Sequence, residues 1–95
     1  MMTIYKYPIQ PQEDKPNLIE MPEGATVLAA ATDGMGELCI WALVDTTKAK
    51  VTKKVWCVGT GWDLTAIFNR SGHIEIQFID TVREGFYMWH VMEEK

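Results

Sequence analysis

No stretch of this chain runs far before a turn signal interrupts it. Pro8, Met21-Pro22-Glu23-Gly24, Asp33-Gly34-Met35-Gly36, Thr46 to Ala49, Gly59-Thr60-Gly61, Gly72 and Arg83-Glu84-Gly85 cut it into short segments. Proline fixes φ and removes a ladder donor, while glycine and aspartate tolerate the left-handed turns that join antiparallel strands. The segments between these signals are rich in β-branched and aromatic residues, which suit a pleated, half-buried surface. Residues 3–7, 17–21, 26–31, 37–45, 50–58, 73–82 and 86–92 therefore read as strands.

The details sharpen the reading. Segment 37–45 is apolar on both parities, which predicts a central strand covered on both faces. In 50–58, Val51, Val55 and Cys57 share a parity with Lys53, so the open end of that strand should be wet. In 73–82 the alternation places Ile74, Ile76, Phe78 and Val82 on one face. Asp63 can cap a single helical turn through 64–68, ended by Asn69 or Gly72. Pro8, Pro11 and Pro16 bracket a polar surface loop. The sum predicts a mainly β fold: a small antiparallel sandwich or open barrel of six to seven strands with at most one short helix, forming one β-rich domain over residues 1–95.

Composition narrows the setting. A chain of 10.8 kDa buries roughly two-thirds of its unfolded surface, enough for one core of modest stability. Self-association through a sheet edge would supplement it. Cys39 and Cys57 lie inside apolar runs, where a thiol behaves as a small hydrophobe, and Met1 to Ile9 has no basic-then-apolar leader pattern. Two reduced cysteines in a cytoplasmic protein are expected. No apolar run approaches the roughly 20 residues of a membrane-spanning helix. The net charge of −4 disfavours generic nucleic-acid binding.

Neither His73 nor His90 sits at metal-ligand spacing, and no pair of the acids is singled out for acid–base work, so no metal, cofactor or catalytic residue is expected. Were there a reaction, His90 would be the first residue to test. Gly59-Thr60-Gly61 lacks the following Lys-Ser/Thr of a phosphate loop, and Asp63 would repel a phosphate; a tight corner is the simpler reading. Trp41 and Trp89 lie in strands and read as core. Trp62 lies in a glycine-flanked loop, where aromatics often anchor partners. With Lys48, Lys50, Lys53 and Lys54 it frames a candidate binding surface, Gly59, Thr60 and Gly61 forming the corner. The plainer alternative is a tryptophan folded back over the core, with lysines guarding a strand edge.

Ile4-Tyr5-Lys6-Tyr7-Pro8, Met21-Pro22-Glu23-Gly24-Ala25, Trp41-Ala42-Leu43-Val44-Asp45, Gly59-Thr60-Gly61 and Trp89-His90-Val91 together span nearly the whole chain. In this string the chain resembles the small single-domain proteins of unknown function found in bacteriophage and prophage genomes. It departs from them at Trp62, where that family often has histidine. The resemblance implies a shared fold and a phage context, but no reaction. The expectation is a non-enzymatic accessory or anti-defence protein that binds a host protein in the bacterial cytoplasm. Acidic segments near both ends would suit a basic surface on that partner. A binder of nucleotides or other anionic small molecules, using Lys48 to Lys54 and Trp62, is the alternative, and a structural homodimer a third.

Overall fold

The computed structural model describes residues 1–68 and 75–95. Within them lie β1 (Met2–Pro8), β2 (Asn17–Pro22), β3 (Thr26–Thr32), β4 (Leu38–Asp45), β5 (Lys50–Gly59), the single helical turn α1 (Thr65–Phe68), β6 (Ile76–Glu84) and β7 (Tyr87–Glu94). They form two antiparallel sheets, one ordered β1-β4-β3 and the other β2-β5-β7-β6. The expected β sandwich is present. Asn69, Gly72, His73 and Ile74, to which the sequence assigns a helix end and a strand start, lie outside the described residues.

Each hairpin forms where turn chemistry predicts it. Asp33 Oδ1 accepts from the Met35 and Glu37 N–H groups at 2.8 and 2.9 Å, and Gly36 takes the positive φ of 82° that closes the β3–β4 turn. Lys6 Nζ lies 2.9 Å from Asp33 Oδ2, tying β1 to that turn. The Lys6 ammonium and the turn's N–H groups hold the Asp33 carboxyl at about 2, below the usual aspartate range. Asp63 Oδ1 accepts from Thr65 N at 3.0 Å and starts α1, as its place before the apolar run predicts.

The register decides what becomes core. Tyr7, Ile40 and Ala30 face one another, as do Ala42 and Val27, because residues directly opposite across a ladder share a face. These residues meet Ile19, Met21, Val55, Cys57, Val91 and Trp89 of the second sheet in one hydrophobic cluster. Lys53 shares that inner face but sits toward its open end, bonded to Glu93 Oε1 at 3.0 Å and the Ala25 carbonyl at 3.3 Å, which matches the wet end expected for β5.

Three expectations need adjustment. β4 is central, yet its outer face is only partly covered: Cys39 is buried, Trp41 half-buried and Leu43 exposed. Trp41 therefore lies on the outer face, outside the core cluster. In β6 the register slips between Phe78 and Asp80, and this bulge turns Val82 inward while Ile76 and Phe78 stay exposed. One unpaired residue reverses the parity that alternation alone would assign. Finally, the loop after β1 is more than a surface crossing. Ile9 N donates to the Leu38 carbonyl and Gln12 N to the Cys57 carbonyl, so the loop is strapped to both sheets. Asn17 secures it, exchanging hydrogen bonds with Gln10 and donating to the Val55 carbonyl at 3.1 Å. On the opposite side, Ala30 N on β3 meets Asp80 Oδ2 on β6 at 3.4 Å.

Candidate functional site

The corner at the end of β5 is built around Trp62. Gly59 is the last residue of the strand, Trp62 N donates to its carbonyl at 3.3 Å, and Gly61 adopts φ +84°. The indole lies directly over Gly59, where an added Cβ would fall 2.7 Å from Trp62 Nε1. Trp62 thus folds back, half-buried, and meets Trp89 edge-on with ring centroids 5.7 Å apart and planes at 69°. Trp89 is stacked in turn on Tyr87 at 5.3 Å with planes 10° apart, and its indole N–H donates to Glu84 Oε1 at 3.1 Å. Tyr87 is exposed, and Phe86 at the β6–β7 hairpin tip is exposed completely. The stack runs from a buried anchor to a solvated edge.

Gly59→Ala tests the corner. The new methyl forces Trp62 off Trp89, an overpacking cost of about 1–3 kcal/mol. The expected result is a lower thermal midpoint together with a loss of aromatic near-ultraviolet circular dichroism. An unchanged spectrum would show that the indole does not rest on Gly59.

Beside the stack, Thr60 and Thr81 hold His90 from both sides, Thr60 Oγ1 at 2.6 Å from Nε2 and Thr81 Oγ1 at 3.3 Å from Nδ1. A neutral imidazole has one N–H, so one hydroxyl donates to the ring and the other accepts from it. Thr60 N also donates to the Met88 carbonyl, pinning the corner to β7. Among the described residues the side chains bonded to the ring are these two hydroxyls.

The lysines stand elsewhere. Lys54 and Gly59 are five strand steps apart, about 17 Å at a strand's rise per residue. Lys53 and Lys54 pair with Glu93 and Glu94 at 3.0 and 3.4 Å, while Lys48 and Lys50 are exposed. An open groove of about 510 Å³ runs along Thr52, Lys53, Lys54, Glu93, Glu94 and Lys95. Trp62 does not line it. The structure joins Gly59, Thr60, Gly61 and Trp62 in one corner and does not join them to the lysines.

Sequence reasoning missed two groupings. Tyr87 and Phe86 were read only as strand residues, although the alternation that places Trp89 inward also places Tyr87 on its side. The second is at the β3–β4 turn, where donor atoms of Asp33, Glu37 and Cys39 lie within 4.8 Å of one another. Both Asp33 oxygens are engaged there by Lys6 and by turn N–H groups, so the cluster is explained as a neutralised turn. Cys39 and Cys57 are buried free thiols, as their apolar surroundings predict.

Fold and corner together define a small two-sheet antiparallel β domain with an aromatic end. The chain belongs to the family described as "Domain of unknown function (DUF7352)", which matches residues 1–95. No curated protein and no solved structure matches it. Among the described residues, no helix is long and apolar enough to cross a membrane.

Proposed function

We propose that this domain is a non-enzymatic, phage-type accessory or anti-defence protein that acts in the bacterial cytoplasm by docking its aromatic end on a host protein. The observation that carries the reading is the solvated Tyr87 on a stack anchored by Trp89 and Trp62, with the fully exposed Phe86 next to it at the hairpin tip. Interface hot spots are enriched in aromatic residues held rigidly, because a pre-ordered ring loses little entropy on binding. Inhibition by occlusion needs only such an anchor and complementary charge, and the net charge of −4 favours a basic partner surface.

The nucleotide-binding alternative draws less support. Its lysines are distant from Trp62, and two of them are already paired with glutamates. Affinity capture from a bacterial host extract tests the proposal, with wild type and Phe86→Ser as matched baits. Phe86 touches solvent alone, so the variant should keep the wild-type thermal midpoint. It should retain the host protein about tenfold less. Equal retention by both baits, or none by either, would overturn the reading.

A further inference from the structure

The outer edge of β1 is an unguarded strand edge. Among the described residues, three of the four edge strands are blunted. β3 and β6 each carry a bulge, and Asp80 bridges the pair across the seam. β2 carries the exposed carboxylate Glu20 in mid-strand. β1 has no bulge, its proline comes only at the last position, and its one charge, Lys6, is paired with Asp33. Natural monomers seldom leave a regular edge in this condition, because its free N–H and C=O groups template pairing with another strand.

The hydrogen bonds at the two ends of the β1–β4 ladder fix which groups are free. Thr46 N donates to the Met1 carbonyl at 2.9 Å, and Ile9 N to the Leu38 carbonyl at 3.0 Å. Bonded and non-bonded pairs alternate in an antiparallel ladder, so the odd-numbered residues Thr3, Tyr5 and Tyr7 bond to β4. The N–H and C=O groups of Met2, Ile4 and Lys6 therefore point outward. On the same outer face the side chains of Met2, Ile4 and Leu43 are exposed and apolar.

We infer that β1 pairs antiparallel with β1 of a second copy of this chain, in the register that sets Ile4 of one copy against Ile4 of the other. This register is self-complementary. Met2 lies opposite Lys6 of the other copy and Lys6 opposite Met2, so every outward donor and acceptor of these residues is used on both chains. Shifting the axis to Tyr5 sets Met2 against Pro8, which has no N–H; shifting it to Thr3 places Lys6 beyond the strand Met2–Pro8 of the other copy; shifting it to Lys6 opposes two like charges. The chosen register also brings Met2 and Ile4 of both copies together and lays Thr3 over the exposed Tyr5 ring. A second copy satisfies these constraints without an added sequence, and that favours it over a foreign strand. The result is a continuous six-stranded sheet, with the aromatic end of each copy left free.

Strand pairing alone buries less than a standard interface, so the dimer is a weak one, populated at concentrations of about 100 μM and above. Sedimentation of the full chain should show a mass rising with concentration toward twice 10.8 kDa. Ile4→Pro deletes an outward N–H that β4 does not use, and Ile4→Lys sets two like charges across the axis with the backbone intact. Both should weaken association at least about tenfold while the thermal midpoint holds. Tyr5→Pro deletes an inward bond and should lower that midpoint. A wild-type chain that stays monomeric, including one that takes up a foreign strand instead, would overturn the inference. So would an Ile4→Lys variant that dimerises as wild type does.

Discussion

Trp89→Ala should remove about 3–5 kcal/mol of stability, the usual cost of emptying a large aromatic site from a core. Domains of this size hold about 5–15 kcal/mol in total, so the variant should be near the edge of folding at 37 °C. The cost is high because the ring serves several neighbours: it packs in the buried cluster, supports Trp62 edge-on, carries Tyr87 on its face and binds Glu84. Urea titration followed by far-ultraviolet circular dichroism gives the value. Tyr87→Ala, at the exposed end of the same stack, should cost less than about 1.5 kcal/mol, since little of that ring leaves water on folding. Equal losses from the two substitutions would mean that the stack is not anchored at Trp89.

Cys57 should be nearly inert while the chain is folded. Burial, and secondarily the nearby Glu84 carboxylate, push its thiol from the ordinary 9.0 up to about 12. The thiolate is the reactive form, so at pH 8 its population falls about a thousandfold below that of a free cysteine. Labelling with a thiol reagent should therefore be slower by at least that factor and should accelerate to the unfolded rate in denaturant. The same shift sets a sign for stability. Because the unfolded thiol loses its proton first, the contribution is complete below pH 9 and is lost as pH climbs toward 12. Rapid labelling of Cys57 in the native protein would place it outside the core, contrary to its position opposite Val91.

How far the sequence reached depended on whether a signal was local. Turns were legible because their chemistry is contained in four residues: Asp33 caps its own hairpin, and Gly24, Gly36 and Gly85 take the positive φ their positions demand. Strand parity was legible in β5, where Lys53 does lie beside Val55 and Cys57. In β6 it failed at the bulge after Phe78, because a register slip is decided by the partner strand and leaves no local mark. Trp41 was misplaced for a related reason: a tryptophan in an apolar strand is equally compatible with either face until the second sheet is located. At the candidate site, the Gly-Thr-Gly corner and Trp62 were recognisable, but their company was not. Distance along β5 separates Trp62 from the lysines, and the glutamates that neutralise Lys53 and Lys54 come from β7, some forty residues later.

The order in which the strands are paired has a consequence for synthesis on the ribosome. All of the sheet β1-β4-β3 is encoded before residue 46, so it can assemble as soon as that length has emerged. β2 is made early but has its sole partner in β5, which follows the finished sheet. During that interval the backbone N–H and C=O groups of β2 have no strand to pair with, even though Ile19 and Met21 can already rest on the finished sheet. The nascent chain passes through a stage at which half the domain is built and one orphan ribbon waits, and chaperones or premature aggregation would act on it there.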